Sequence, residues 1–140
     1  MTQPSASEVR AKGHCLCGAV AYEVRGPMRD VVNCHCQQCL RTHGHMAAYS
    51  RVRQADLVMT ETHGLKWYQS SDKARRGFCR ECGASIFWDL LDDDIISIAA
   101  GSIDEPTGLK TIRHIFVADK GDYYEIQDGL EQLPKGHSTS

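Results

Sequence analysis

The sequence lacks three features that would each place it in a broad class. No stretch approaches the roughly 18 apolar residues of a membrane-spanning helix. Basic residues are not in excess, with 16 Lys and Arg against 18 Asp and Glu, so binding to nucleic acid is not expected. Residues 1–7 contain no apolar segment of a secretory signal. We therefore expect a cytoplasmic protein with no membrane partner and with reduced cysteines.

Long helical patterns are also missing. Residues 37–42 and 54–57 could each form one turn of helix, but neither run is long enough to be stable alone. Short runs rich in β-branched and aromatic residues dominate instead, at residues 19–24, 31–33, 46–50, 65–69, 85–88, 95–99, 111–117 and 123–126. Turn residues separate these runs, as in sandwiches and barrels. The pattern predicts a mainly β fold of two or three packed antiparallel sheets.

The length of 140 residues fits one domain. We predict a zinc-binding domain over residues 12–134, a flexible N-terminal arm over residues 1–11 and a flexible tail over residues 135–140, because both ends are polar and small. With 41% hydrophobic residues the core is modest, so a metal that joins distant segments would add to stability. Strand edges in so small a domain make a homodimer plausible.

What the sequence does have is seven cysteines in three tight clusters: Cys15 with Cys17, Cys34 with Cys36 and Cys39, and Cys79 with Cys82. Cysteines with only one or two residues between them are poorly placed to form a disulfide with each other but well placed to bind one metal ion. Seven is also odd, which leaves a disulfide framework incomplete. The middle spacing matches none of the common ferredoxin patterns, so an iron–sulfur cluster is disfavoured. The clusters indicate zinc.

Seven thiolates divide naturally into four plus three. The outer pairs are each followed by a glycine, Gly18 and Gly83, which lets the backbone turn sharply beneath a metal. Together the pairs would complete a closed, structural zinc site. Closing the long loop between them costs entropy that grows only logarithmically with length, and zinc binding offsets it.

The middle cluster can supply three thiolates by itself, which leaves a fourth position open. That position would suit water, a substrate thiol or a side chain, and an open zinc of this kind is the catalytic type. The alternative is a second structural site completed by a histidine. His35, His43 and His45 are each a candidate fourth ligand, proton shuttle or bystander.

Two other groups of residues have two interpretations each. Arg75, Arg76 and Arg80 form either a solvated basic face or a patch that recognises the carboxylates of an acidic ligand. Trp67 and the nearby aromatic residues are more typical of a core than of a ligand platform.

The ordered motifs resemble the glutathione-dependent formaldehyde-activating enzymes, the S-(hydroxymethyl)glutathione synthase-like family that includes relatives of centromere protein V. The similarity spans roughly residues 12–134. The matching segments are residues 13–20, residues 34–39 with Gly44, residues 78–83, residues 101–104, residues 114–117 and residues 128–130.

The resemblance implies a fold of the β-tent type with two zinc ions. One would be structural, on Cys15, Cys17, Cys79 and Cys82, and one catalytic in type, on Cys34, Cys36 and Cys39. The implied activity is that of a carbon–sulfur lyase, which joins a small-molecule thiol such as glutathione to a small aldehyde such as formaldehyde. Proton transfer to the developing alkoxide is expected from His43, His45 or water.

Two alternatives to an enzyme stay open. In the first, both zinc ions are structural and the chain is a non-catalytic module that docks a protein partner. In the second, the middle cluster buffers zinc or senses oxidants, and it would then lose its metal on mild oxidation.

Overall fold

The structure is a computed structural model that describes residues 8–136. Residues 1–7 of the predicted arm and 137–140 of the predicted tail lie outside the described residues. Between them the chain is mainly β, as predicted. The strands in chain order are β1 Ala11–His14, β2 Ala21–Val24, β3 Val31–Cys34, β4 Ala47–Arg53, β5 Leu57–Glu61, β6 Leu65–Gln69, β7 Ala74–Cys79, β8 Ser85–Leu90, β9 Ile95–Ala99, β10 Thr111–Ile115 and β11 Glu131–Gln132, and the α-helix is α1 Gln37–His43.

The chain divides into two compact units. The described part of the first unit comprises residues 8–29 and 50–108, and that of the second comprises residues 30–49 and 109–136. Each unit contains one of the predicted cysteine groups. The outer four cysteines belong to the first unit and the middle three to the second.

The first unit contains an antiparallel sheet in the order β1-β2-β5 and an antiparallel meander in the order β9-β8-β7-β6. Strand β2 alternates between partly exposed and buried positions, the period of two expected of a strand with one face in the core. Its buried Tyr22 meets the ring of Phe87 on β8 edge-on, with ring centroids 5.5 Å apart. These two rings lie at the centre of the apolar core of this unit.

The second unit is built on β11, β10, β3 and residues 47–49 of β4, in that strand order. Strand β3 is buried along its whole length, including Asn33 and Cys34. Its partner β4 is antiparallel, whereas β10 runs parallel to it and β11 runs parallel to β10. Because β3 ends at Cys34 and α1 begins at Gln37, the middle cysteines lie where a buried strand leads into a helix.

Many of the predicted elements agree with the structure, and others do not. The predicted helical turns correspond to α1 and to a 3-10 turn at Gln54–Asp56. Strands β1, β5, β7 and β11 were not predicted, and the parallel pairings of β10 differ from the antiparallel sheets expected. The predicted strand at residues 123–126 is wrong, because this segment is irregular. There the carbonyl of Tyr124 accepts from Lys120 Nζ at 2.7 Å instead of from a neighbouring strand.

Candidate functional site

The four outer cysteines come together in the first unit. The sulfurs of Cys15, Cys17, Cys79 and Cys82 all lie within 4.8 Å of one another. Cys17 Sγ is 3.8 Å from Cys15 Sγ and 3.7 Å from Cys79 Sγ. Zinc–sulfur bonds of about 2.3 Å in a tetrahedron place the sulfurs about 3.8 Å apart, whereas a disulfide needs about 2.05 Å. The four cysteines, all of them free thiols, therefore fit a zinc ion.

The backbone around this group forms two similar turns. The N–H of Gly18 donates to the carbonyl of Cys15, and the N–H of Gly83 donates to the carbonyl of Cys79. Both glycines have positive φ, +85° and +81°, a conformation that other residues adopt only with strain. Within the turns, Val20 N–H points at Cys15 Sγ (3.3 Å) and Cys82 N–H points at Cys79 Sγ (3.4 Å). Such N–H donors stabilise negative sulfur.

The pKa values of these sulfurs differ widely, because the four sulfurs do not all carry negative charge readily at the same time. The backbone N–H of Ala84, followed by that of Cys17, lowers the pKa of Cys82 to about 6. The backbone N–H of Ala19 also acts to lower the pKa of Cys17, but burial and the other three sulfurs raise it to about 12. The thiols thus compete for protons in the absence of a cation, and a bound metal would remove that competition.

The three middle cysteines come together in the second unit, with their sulfurs all within 4.8 Å of one another. Cys34 ends β3, Cys36 is the N-cap of α1 and Cys39 lies in the first turn of the helix. The Cys36 sulfur accepts from the backbone N–H of Cys39 at 3.3 Å. Among the described residues no fourth His, Cys, Asp or Glu joins this group.

Close packing of the three sulfurs disfavours their ionisation together. The neighbouring sulfurs of Cys36 and Cys39, and then burial, raise the pKa of Cys34. Three adjacent thiolates in a partly buried site need a compensating cation. The donor set therefore suits a soft, borderline metal such as zinc, with one coordination position left over.

His35 lies between Cys34 and Cys36 in the sequence. Its side chain is part of a series of hydrogen-bonded side chains. The ring is fully buried. Its Nδ1 lies 2.6 Å from Tyr124 Oη, and its Nε2 lies 2.8 Å from His114 Nδ1. His114 is also buried, and its Nε2 lies 2.8 Å from Asp128 Oδ2. We call this line of four residues, Tyr124–His35–His114–Asp128, the histidine chain.

Burial and the neighbouring charges keep the imidazole ring of His35 neutral. Burial, followed by the charges of His114, His45 and Lys120, lowers the pKa of His35 to about 4. At the other end, the N–H of Leu130 and then His114 lower the pKa of Asp128, so this carboxyl is ionised at neutral pH. Burial raises the pKa of Tyr124, and the charge of Cys34 raises it further. Tyr124 is therefore a neutral phenol near the middle cysteine group.

The two histidines predicted to transfer protons lie in different surroundings. His43, in the last turn of α1, bonds through Nε2 to Tyr49 Oη at 2.8 Å and packs edge-on against its ring. His45 bonds through Nδ1 to Tyr123 Oη at 2.6 Å and stands edge-on to the ring of Tyr124, with centroids 4.6 Å apart. His45 thus lies next to the histidine chain, whereas His43 supports the end of the helix.

Two openings lie in the second unit. A cavity of about 300 Å³ is lined by all four members of the histidine chain and by His45. An open depression of about 650 Å³ lies beside α1, with Gln37, Leu40, Arg41 and Lys120 among its lining residues. No cysteine of residues 8–136 lines either opening, but sequence neighbours of the middle cysteines do: His35 lines the cavity, and Gln37 and Leu40 line the depression.

The predicted basic patch has mainly structural contacts. Arg75 Nε donates to the buried carboxylate of Asp89 at 2.8 Å, and its guanidinium lies 3.8 Å from the centroid of the Trp67 ring. Arg76 is buried. Arg80 is exposed and pairs with Glu81 at 3.7 Å. Two of the three arginines are therefore part of the packing of the first unit.

Sequence reasoning did not assign a role to His114, Tyr124 or Asp128. These residues lie 79, 89 and 14 positions from their partners in the histidine chain, so no local spacing reveals them. The one signal in the sequence was the position of His114 inside a strand-like run, which suggests a buried histidine that needs partners.

Comparisons with known proteins agree with this description. The family model of the glutathione-dependent formaldehyde-activating enzymes matches residues 10–119. The match covers well over half of the chain, which therefore belongs to this family. No curated protein sequence matches the chain. A solved structure, the crystal structure of a Rhodobacter sphaeroides protein from structural genomics, is similar with a TM-score of 0.58 and 26% identity, over 71% of this chain and 97% of that chain.

The family membership agrees with an enzyme whose chemistry involves glutathione and formaldehyde, and with zinc as the metal of the cysteine groups. In residues 8–136 no helix is both long and apolar enough to cross a membrane.

Proposed function

We propose that the protein is a zinc-dependent enzyme of the carbon–sulfur lyase class. It joins a thiol cosubstrate, glutathione or a similar molecule, to a small aldehyde such as formaldehyde. The observation that carries the proposal is the middle cysteine group, in which three sulfurs cluster and no fourth protein ligand joins them among residues 8–136. Family membership supports the choice of substrates.

We further propose separate roles for the two cysteine groups. Cys15, Cys17, Cys79 and Cys82 would hold a structural zinc, because four sulfurs complete a tetrahedron. Cys34, Cys36 and Cys39 would hold the second zinc and keep a position for substrate. When bound there, zinc supplies a positive charge that lowers the pKa of a thiol and polarises an oxygen.

The chain's own residues would bind and orient the two substrates. The depression beside α1 suits the larger thiol, and the exposed Arg41 on its rim offers a cation to a carboxylate of that cosubstrate. The smaller cavity suits the aldehyde, since its wall includes polar groups that can contact a carbonyl oxygen. Holding both reactants together converts a bimolecular addition into an intramolecular one.

Proton transfer is assigned to the same part of the second unit. His45 lines the smaller cavity and is the better placed of the two predicted histidines to exchange a proton with a substrate oxygen. His43 remains a candidate of the proposal, with its Nε2 bonded to Tyr49. The β-tent fold, the domain limits of 12–134, the cytoplasmic location and the homodimer are kept as predictions.

The experiment is exchange NMR with ¹³C-labelled formaldehyde and glutathione at equilibrium. The wild-type protein should accelerate interconversion of free aldehyde and S-hydroxymethylglutathione above the rate in buffer alone. Cys36→Ser should abolish the acceleration. Serine is a preferred N-cap, so it keeps the bond to the N–H of Cys39 and changes mainly the ligand. Acceleration by Cys36→Ser equal to that of the wild type would reject the proposed site, and no acceleration by the wild type would favour the docking module.

A further inference from the structure

We infer that Tyr124 is a further catalytic residue of the proposed reaction, and that His114 and Asp128 are positioning residues that act on it through His35. The chemical step rests on the proposed function. The direction of the hydrogen bonds in the histidine chain does not, and it can be tested without any substrate.

The histidine chain is continuous and uses every ring nitrogen of its two histidines. From Tyr124 to Asp128, the three distances are 2.6 Å from Tyr124 Oη to His35 Nδ1, 2.8 Å from His35 Nε2 to His114 Nδ1, and 2.8 Å from His114 Nε2 to Asp128 Oδ2. Both histidines are buried, whereas the side chain of Asp128 is 44% exposed. All four members line one cavity, and the chain ends at a carboxylate that also reaches solvent.

The carboxylate sets the direction of every bond in this line. Asp128 Oδ1 accepts from the backbone N–H of Leu130 at 3.0 Å, and an ionised carboxylate can only accept. His114 must therefore carry its proton on Nε2, which leaves Nδ1 as an acceptor. His35 Nε2 faces this acceptor and therefore donates to it, and with that one ring proton placed, its Nδ1 accepts from the hydroxyl of Tyr124.

The hydroxyl hydrogen of Tyr124 is thereby committed to His35. Burial raises the pKa of Tyr124, but the backbone N–H of Gly121 also acts on its phenol oxygen and works to lower that pKa. The lone pair that remains on this oxygen can accept a proton or a hydrogen bond from a ligand in the cavity that Tyr124 lines. The ring is held by stacking on His35, with centroids 5.5 Å apart, and by the edge-on contact with His45. In the proposed arrangement the sulfur end of the thiol reaches this cavity to meet the aldehyde, and an acceptor in fixed orientation there suits a thiol that must lose its proton.

The reaction then proceeds with a balanced transfer of one proton. The thiol S–H bond breaks and its proton goes to Tyr124 Oη, while the original phenol proton moves to His35 Nδ1. In the same step the Nε2 proton of His35 moves to His114 Nδ1, and the Nε2 proton of His114 moves to the carboxylate of Asp128. Both imidazoles stay neutral and change tautomer. The thiolate adds to the aldehyde carbon, the C=O π pair moves to oxygen, and that alkoxide takes the proton from Tyr124 Oη as the chain returns to its first state.

A merely structural role for the histidine chain makes a different prediction. Buried histidines must have hydrogen-bond partners in any protein, and packing alone would be satisfied by either direction of the bonds. Asp128 sets the direction of the bonds in either case, but only the catalytic role requires that turnover depend on that direction.

The first test is ¹⁵N NMR of the histidine rings in the protein as purified. The wild type should show His35 and His114 as the Nε2–H tautomers. In Asp128→Asn, Asn Oδ1 keeps the bond to Leu130 and the amide Nδ2–H must donate to His114 Nε2, so both rings should change to the Nδ1–H form. An Nδ1–H ring or an imidazolium at His35 in the wild type, or unchanged tautomers in the variant, would overturn the inference.

The second test is kinetic and uses the equilibrium exchange assay. Tyr124→Phe should lower kcat about 10²-fold, the usual contribution of a general acid–base, with little change in KM for the thiol. Asp128→Asn should lower kcat similarly, and the double variant should fall no further because the residues act as one unit. Tyr68→Phe, at a tyrosine 62% exposed in the first unit, is the control and should keep full turnover.

Two kinetic results would contradict a catalytic Tyr124: full turnover in Tyr124→Phe, or additive losses in the double variant. A wild type without turnover would refute the proposed function, and the NMR result on the hydrogen-bond direction would then stand by itself.

Discussion

Cys17 and Cys79 are 62 positions apart in the chain, yet their sulfurs lie 3.7 Å from each other. Neither is part of a disulfide. The loop between them includes most of the strands of the first unit, so whatever holds these sulfurs together also closes that unit. A metal ion in this place acts on folding as a cross-link does, since it binds the native arrangement and not the unfolded chain.

Cys79→Ser should therefore destabilise the protein strongly. We expect loss of one zinc ion and a fall in the free energy of unfolding on the order of 3 kcal/mol, similar to loss of a native disulfide. Urea denaturation with zinc analysis of the same sample measures both. Leu16→Ala, at a side chain 87% exposed between Cys15 and Cys17, is the matched control and should change neither quantity. Equal stability of Cys79→Ser and the wild type would refute a structural metal in this group.

The positive φ of Gly83 gives a second prediction. A Cβ at this position meets nothing within 4 Å, so Gly83→Ala adds backbone strain without a clash. We expect it to lower the free energy of unfolding by about 1–2 kcal/mol, the cost of a left-handed residue other than glycine.

Gly101→Ala provides the control for this prediction. That glycine also has open space around it but no positive φ, so alanine should be neutral or slightly stabilising. Thermal unfolding of the two variants in parallel compares them. Equal thermal unfolding midpoints for the two variants would show that the positive φ of Gly83 does not require glycine.

Buried Tyr22 predicts a loss of stability at alkaline pH. Burial raises the pKa of its phenol, with a smaller effect of Asp104, while the hydrogen bond to Ser102 acts in the opposite direction. Above pH 10, the ordinary value, the unfolded chain loses this proton and the folded chain keeps it. The unfolded state then binds fewer protons, so stability falls as pH rises, by at most about 1.4 kcal/mol per pH unit.

Tyr22→Phe isolates this contribution. At neutral pH the variant should be less stable by about 1 kcal/mol, because it loses the 2.7 Å hydrogen bond between Tyr22 Oη and Ser102 Oγ. Above pH 10 its stability should decline less steeply than that of the wild type, so the difference shrinks. Urea denaturation at pH 7, 10 and 11 makes the comparison, and parallel curves would show that the phenol does not ionise differently in the two states.

Local composition predicted the fold well where a short run of β-branched and aromatic residues marks a strand. Strands β6 and β9 lie where the runs of β-branched and aromatic residues placed them. Strand β7 was missed because Arg75 and Arg76 read as a charged surface, whereas one stacks on Trp67 and the other is buried. Long cationic side chains with apolar stems can pack in this way, and a hydropathy pattern does not show it.

The cysteine groups were predictable for a similar reason. Within each cluster neighbouring cysteines are two or three positions apart, so spacing alone brings them near one metal. The histidine chain depends instead on where β10 lies beside β3, which places His114 opposite Asn33 and next to His35. Parallel pairing of strands so distant in sequence leaves no local signal, so three of its four members were found only in the structure.

The central claim is that the seven cysteines form one closed and one open zinc site, and metal content measures it most directly. Inductively coupled plasma mass spectrometry on freshly purified protein should find two zinc ions per chain in the wild type and one in Cys36→Ser, with all seven thiols free after the metal is removed. Zinc well below two per chain in the wild type, an unchanged content in Cys36→Ser, or disulfide-linked cysteines would contradict the account.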